Sequence, residues 1–309
     1  MADTKSQMRV FFRIWDSDVA ASFRRSPVAI VSGVVALVIV LAALLAPWIA
    51  PTNPYDPSSL NLMDGFTPPM EPNAFTGNTY LMGTDNQGRD VFSTILYGAR
   101  ISLFVGVSAV LLAMALGISA GLVAGYRGGW VDAVLMRVAD VQLSFPSILI
   151  ALLIFGVARG IIPPTQREAM AIWVLIVAIG LSDWVQFARV VRGATMVEKG
   201  KEYAQAARVI GVSPLRILIR HILPNVMGPV LVIATISVAL AIIAEATLSF
   251  LGVGVPPTQP SLGTLIRIGQ QFLFSGEWWI LLFPALTLLA LALSVNMLGD
   301  WLRDALNPR

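Results

Sequence analysis

A helix needs about 20 consecutive apolar residues to cross the roughly 30 Å hydrocarbon core of a bilayer, and this chain offers runs of that length one after another. Four are uninterrupted by acidic side chains or nearly so: Val28 to Ala50, Ile101 to Gly125, Val226 to Leu251 and Trp279 to Leu298. Two more, Val138 to Val157 and Ala169 to Val190, carry Asp140 and Asp183 inside otherwise apolar sequence. Hydrocarbon leaves backbone N–H and C=O groups no partner but each other, so runs of this length are read as helices. The expected fold class is therefore an all-α membrane protein, a six-span helical bundle. Composition agrees: of 309 residues, 56% are hydrophobic and 13% charged, with a mean hydropathy of +0.76. The first run exceeds the 7–15 residue apolar core typical of a signal peptide, and no small-residue cleavage site follows it; it is read as a retained anchor.

An even number of spans puts both termini on one side, and the distribution of Lys and Arg selects that side. With the N-terminus inside, the cytoplasmic segments hold 16 of the 21 basic residues and the outer segments hold 5: Arg89, Arg100, Arg159, Arg167 and Arg267. The chain is read as N-in and C-in. The organisation that follows is a cytoplasmic segment 1–27, an anchor 28–50 and an external loop 51–100. A five-span core 101–300 contains a cytoplasmic coupling loop 191–225, and a cytoplasmic tail 301–309 ends the chain. The net charge of +3 flanks apolar runs and does not form a basic face interleaved with aromatics, so it points to a lipid bilayer and not to nucleic acid.

Several chemistries are missing. There is no cysteine, and His221 is the single histidine, so neither a thiolate nor a histidine-rich metal site can be assembled. Gly200-Lys201 is followed by Glu202 and lacks the upstream glycine and the Ser/Thr of a phosphate-binding loop. No nucleophile elbow or H-E-x-x-H pair occurs, so no residue is assigned a catalytic or metal-binding role. Asp85-Asn86-Gln87-Gly88-Arg89-Asp90 superficially resembles a calcium loop but has Gln at the third position and Gly at the fourth; a solvated turn is expected. Gly117, Gly121 and Gly125, spaced four apart, give one helical face without side chains, which lets another helix approach closely.

The longest basic cytoplasmic segment carries the most local information. Tyr203 to Ile210 holds Ala204, Ala206 and Ala207, good helix formers, and Gly211 can end that helix in a left-handed conformation. Val212 follows, Ser213 can cap a second helix and Pro214 suits its first position. Leu215, Leu218, Ile219 and Ile222 then recur at helical spacing as one apolar face, with Arg216 and Arg220 elsewhere and Pro224 ending the pattern. Periodicity alone fits two readings equally: an amphipathic helix lying on anionic lipid, or a helix that docks into a soluble partner.

Residue identities go further. Tyr203-Ala204-Gln205-Ala206-Ala207, then Gly211, then Arg220-His221-Ile222-Leu223-Pro224-Asn225 resembles the EAA loop of binding-protein-dependent ABC importer permeases. Outside the loop, Gly83-Thr84-Asp85, Gly98-Ala99-Arg100, Ser144-Phe145-Pro146, Ala188-Arg189-Val190-Val191-Arg192-Gly193, Leu248-Ser249-Phe250-Leu251-Gly252 and Gly299-Asp300-Trp301-Leu302-Arg303 are similar to the dipeptide/oligopeptide/nickel permease family. The resemblance runs from about residue 80 to the end. It implies a type I ABC importer fold in the bacterial inner membrane. It also implies a sister permease subunit, two ATPase subunits that hold ATP and Mg, and an extracytoplasmic substrate-binding protein. Residues 203 to 216, among them Tyr203, Gln205, Ala206, Ala207, Gly211, Val212, Ser213, Pro214, Leu215 and Arg216, would then form the ATPase-coupling helix. The cargo it implies is di- or oligopeptides, with nickel chelates, glutathione or oligosaccharides as alternatives; an ion-coupled secondary transporter is the alternative class, although no internal repeat is visible. The triplet departs from the family at Gln205, a neutral amide where the family has Glu.

A charge at mid-membrane costs about 2.5–3.5 kcal/mol on insertion scales, so Asp183 and Glu245 require a reason to be there. Asp183 is a candidate for the transport path or a partner for Arg189. Glu245 is a candidate for an outer gate or for a hydrogen bond between packed helices.

The orientation is directly testable because the chain has no thiol of its own. Cysteines placed at Ser58 or Asn78 should react with an impermeant maleimide added to intact spheroplasts, and a cysteine at Ser213 should not; the opposite pattern would invert the topology.

Overall fold

The computed structural model describes residues 18–56, 58 and 60–306; most of the expected cytoplasmic segment 1–27 and the last three residues of the expected tail lie outside them. Among the described residues the regular structure is helical, with two isolated β-bridges and no strand. In chain order the helices are α1 (Asp18–Arg25), α2 (Pro27–Leu44), α3 (Ala46–Ile49), α4 (Val91–Arg127), α5 (Gly129–Leu143), α6 (Ser147–Ile161), α7 (Arg167–Glu198), α8 (Glu202–Val209), α9 (Pro214–Phe250), α10 (Leu262–Gln270) and α11 (Trp279–Leu306).

Five of these, α2, α4, α7, α9 and α11, are apolar and long enough to cross a membrane. The sixth crossing is supplied by α5 and α6 if they cross as one unit, and here the structure departs from the straight span expected over Val138 to Val157. The two helices meet at 95°. Pro146 has no N–H to give to a helix and biases Phe145 toward extended backbone; it stands at the N-cap of α6 with φ −56° and ψ 132°. The chain therefore turns at Ser144-Phe145-Pro146, and the apolar stretch becomes two half-length helices.

Helices also run further than the apolar windows. α4 begins ten residues before Ile101, where the Asp90 carboxylate accepts a hydrogen bond from the Ser93 N–H at 2.9 Å and caps it. Its 37 residues extend about 55 Å, well beyond the hydrocarbon. α11 continues through Leu306, so the expected tail 301–309 is helical as far as it is described. At its cytoplasmic end Trp301 packs edge-on against Phe23 of α1, with ring centroids 5.0 Å apart.

The bundle is organised on α4, which contributes to both apolar cores. One core joins α4 with α6, α7 and α9; the other joins α4 with α2, α9, α10 and α11. The glycine face acts as expected for packing, and its partner is α7. A Cβ on Gly117 would stand 2.4 Å from the Phe187 Cβ, one on Gly121 2.6 Å from the Ala188 carbonyl oxygen, and one on Gly125 2.7 Å from the Arg192 carbonyl oxygen. These contacts advance in step along both helices, so α4 and α7 run parallel with their backbones in near contact.

The external segments are more ordered than turns exposed to water. Asp85 and Arg89 are buried and paired at 2.6 Å, and the second Asp85 oxygen accepts from the Gln87 and Arg89 N–H groups at 2.8 and 3.0 Å. The expected solvated turn is thus a buried clamp, and its carboxylate is spent on Arg89. The clamp reaches the other external loop: Arg89 donates to the Pro257 carbonyl at 3.4 Å and Trp279 Nε1 donates to the Thr84 carbonyl at 3.0 Å. Nearby, burial alone would raise the Asp64 carboxyl, but hydrogen bonds from Thr76, Tyr80, Asn78 and Asn61 hold it below the usual carboxylate range. The nine-residue α10 is too short to span; it wedges between α9 and α11 through Gly263 and Gly269, whose missing side chains admit the Ala246 carbonyl and the Leu281 backbone.

The glycine seam gives a graded prediction. Gly121→Val forces a branched side chain into the α7 backbone and should lower the thermal unfolding midpoint of the purified protein, by the equivalent of about 1–3 kcal/mol or more for an overpacked site. Gly156→Ala, at a glycine with open space around it, should leave the midpoint within error. Equal midpoints for the parent and Gly121→Val would refute the seam.

Candidate functional site

The cytoplasmic loop between α7 and α9 is fixed first at its base. α7 ends at Glu198, and Lys199 reaches back to the C-terminus of α4, donating from Nζ to the Gly125 carbonyl at 2.7 Å and the Tyr126 carbonyl at 3.4 Å. A cation on the last carbonyls of a helix satisfies unpaired acceptors and opposes the negative end of the helix dipole. Arg192, about two turns earlier, forms a two-pronged ion pair with Asp132 of α5, with Nη2 to Oδ2 at 2.7 Å. Arg208 of α8 stacks over the Tyr126 ring at 5.5 Å. The cytoplasmic ends of α4, α5, α7 and α8 are therefore tied together.

Glu198 joins the loop to the next span. It pairs with Lys201 at 2.7 Å and accepts the Tyr203 hydroxyl proton, while the same hydroxyl accepts from Asn225 Nδ2 at 3.3 Å in α9. Burial, followed by the neighbouring Glu198 carboxylate, pushes the Tyr203 phenol up to about 12, so it remains a proton donor throughout the physiological range. On α8, Ala204 and Ala207 face inward while Gln205 and Ala206 are exposed. Gln205 is not an idle substitute for Glu: its Nε2 donates to the Gly200 carbonyl at 2.8 Å, a bond a carboxylate could not make.

α8 ends in a Schellman motif. The Gly211 N–H bonds the Arg208 carbonyl at 3.1 Å and the Val212 N–H bonds the Ala207 carbonyl at 3.0 Å. Gly211 takes φ +80° with nothing within 4 Å of where a Cβ would stand, so the requirement for glycine there is conformational and not a matter of space. Ser213 occupies the N-cap of α9 with Pro214 in the first turn, but its side chain makes no capping bond; its carbonyl accepts from the Ile217 N–H at 3.0 Å instead.

Two expectations for the second helix are corrected. It does not end at Pro224: Leu218–Ile222 form a π-helical turn and the helix continues to Phe250. The wider turn accommodates a residue without an N–H, and Asn225 Nδ2 bonds the His221 carbonyl at 2.6 Å. The π turn also rotates the later positions, so the expected single apolar face divides. Ile217 and Ile222 are buried, whereas Leu215 is 66% and Ile219 55% exposed and share a surface with Arg216 and Arg220. With Val209 at 87% and Ile210 at 78% exposure, an apolar tip edged by Arg208, Arg216 and Arg220 projects from the base of the bundle.

The two acidic span residues lie away from this loop and apart from each other. Glu245 is fully buried and accepts from Ser102 of α4 and Ser249 of α9, each at 2.7 Å; the Ser102 hydroxyl in turn accepts from the Leu262 N–H of α10 at 3.3 Å. It therefore pins three helices together, and no surface of it is left to line a gate. Asp183 is half-buried, midway along α7. It does not pair with Arg189, whose guanidinium is held by Asp140 at 2.6 Å. Glu198, Lys199 and Arg192 were not singled out from sequence, because their partners sit across helix breaks or on other helices and no fixed spacing links them.

Together the bundle and its tethered loop define a multi-pass helical membrane protein with a structured cytoplasmic projection. Comparison with known proteins sharpens this. Residues 117–309 match the family model described as binding-protein-dependent transport system inner membrane component, and residues 14–69 match the N-terminal TM domain of oligopeptide transport permease C. The chain belongs to the binding-protein-dependent transport system inner membrane component family. It is 36% identical over 289 residues to a dipeptide transport system permease protein of Haemophilus influenzae, covering 93% of this chain and 92% of that one. It is also 36% identical over 296 residues to an oligopeptide transport system permease protein of Bacillus subtilis, covering 96% and 90%. A solved chain of the MetNI methionine ABC transporter, in an inward-facing conformation, shares the fold with a TM-score of 0.52 at 18% identity, over 69% of this chain and 96% of that one.

Proposed function

We propose that this chain is one transmembrane half of an ATP-driven importer of the bacterial inner membrane, taking up di- or oligopeptides handed over by an extracytoplasmic binding protein. The dipeptide and oligopeptide permeases it is similar to support the cargo class. Two partner ATPase subunits hold the ATP and Mg, and this chain hydrolyses none. A sister permease completes the path, and transport proceeds by alternating access: ATP binding draws the ATPases together and their motion tilts the spans.

The observation that carries the reading is the loop. A lever has to be stiff at its base and sticky at its tip. Residues 203 to 216 combine a base bonded to α4, α7 and α9 with an exposed apolar tip whose direction is fixed by one left-handed residue. Tyr203 and Ala207 anchor the first helix, Gly211 and Val212 set the angle, and Leu215 and Arg216 face the ATPase cleft, with Gln205, Ala206, Ser213 and Pro214 shaping the turn.

Because a Cβ at 211 meets nothing, Gly211→Val changes only backbone preference, at a cost of about 1–3 kcal/mol for a β-branched residue held left-handed. In proteoliposomes, Gly211→Val should insert and pair with its sister permease, while substrate-stimulated ATP hydrolysis and peptide uptake fall together by about tenfold. Gly211→Asn, which tolerates positive φ, should retain most of both. A loss seen only with anionic lipid present would indicate a membrane-surface role, and Gly211→Val coupling as well as the parent would defeat the docking reading.

A further inference from the structure

Asp183 faces a cavity of about 460 Å³ lined by Gln142, Phe145, Gln186, Leu240 and Ile243 among others, at the level of the bend between α5 and α6. Most of the polar groups around it are occupied with one another. Gln142 Nε2 donates to the Leu181 and Ser182 carbonyls at 2.8 and 3.0 Å, and its oxygen accepts from Trp184 Nε1 at 2.8 Å. The Ser182 hydroxyl is bonded within its own helix at 2.8 and 3.0 Å, and Gln186 bonds Ser237 of α9 at 3.1 Å. Arg189, a turn and a half further on, is taken by Asp140. Among the described residues, no hydrogen bond or ion pair reaches the Asp183 carboxylate.

An ionisable group at this depth ordinarily pairs with a neighbour or faces a water-filled path. Here Gln142, Ser182 and Arg189 are bonded elsewhere, Ser147 makes no bond to the carboxylate, and the group faces the cavity. The lining combines Gln142, Ser147, Asp183 and Gln186 with Phe145, Leu143, Leu240 and Ile243, and these four apolar side chains are exposed. That arrangement suits a cargo with a cationic end and an apolar body.

We infer that Asp183 is a way-station in the transport path that holds the protonated amino group of a peptide, accepting its N–H bonds while the side chains slide over the apolar lining. This rests on the peptide reading above. A primary ammonium offers three donors to a carboxylate, and a charge-assisted bond of this kind forms only while cargo is in transit.

The test uses the complete complex with its binding protein in proteoliposomes and labelled tri-alanine as cargo. Uptake by the parent complex examines the peptide reading by itself; the variants examine Asp183. Asp183→Asn should lower peptide taken up per ATP hydrolysed by about tenfold, the effect of losing one charge-assisted bond, while stimulated hydrolysis and assembly stay near the parent level. Asp183→Glu should recover most of the uptake. Asp183→Cys places a thiol in a chain without cysteine. Attaching a negatively charged sulfonatoethyl group to it should restore uptake, attaching a trimethylammonium group should not, and tri-alanine should slow both reactions. The parent complex treated identically sets the background. Parent-level uptake by Asp183→Asn, a thiol at 183 that polar reagents cannot reach, or equal loss of hydrolysis and assembly in the Asn and Glu variants would each overturn the assignment.

Discussion

Hydrocarbon supplies no hydrophobic drive for helices to associate, so what joins them is close packing and the few polar bonds they can share. In this protein the most extensive helix–helix packing is the glycine seam of α4 against α7, where Gly117, Gly121 and Gly125 bring two backbones within reach of one another. The rest of the bundle is arranged on that pair. It sets the cytoplasmic end of α7 beside that of α4, which is the condition for Lys199 to reach the Gly125 and Tyr126 carbonyls and for Arg192 to meet Asp132. A bulkier face on α4 would separate those ends and leave the loop without a base.

Polar side chains inside the bundle divide into two kinds. Glu245 is enclosed by serines from α4 and α9 and acts as a fastener. Asp140 and Asp132 are matched to arginines on α7. Asp183 stands apart, since no hydrogen bond or ion pair among the described residues reaches it. The same contrast holds outside the membrane, where Asp85 is consumed by Arg89 and the clamp they form links the two external loops.

The sequence made the spanning helices visible because apolar length is a one-dimensional property. Their true ends were not visible: α4 starts at Val91 and α9 at Pro214 with turns whose polarity hides them from an apolar window. The bend at Pro146 replaced a straight span, since a hydropathy run registers length and not direction. α10 escaped notice because its nine residues fall below spanning length. In the loop, Gly211 was legible from the residue itself, because few residues end a helix that way. Glu198 and Lys199 were not, because their meaning depends on which helix ends the fold brings beside them. The π turn at Leu218–Ile222 likewise has no periodic signature and divided a face that looked continuous.

The central claim is that the tip beyond Gly211 is the surface on which partner ATPases bear. Hydrogen exchange on the assembled transporter measures this most directly, by comparing backbone amides of Val209 to Arg216 with the ATPase subunits present and stripped away. The account predicts that exchange there slows on ATPase binding, while the amides of α10, on the opposite side of the membrane, are unchanged. Exchange at Val209 to Arg216 that is the same with and without the ATPases would contradict it.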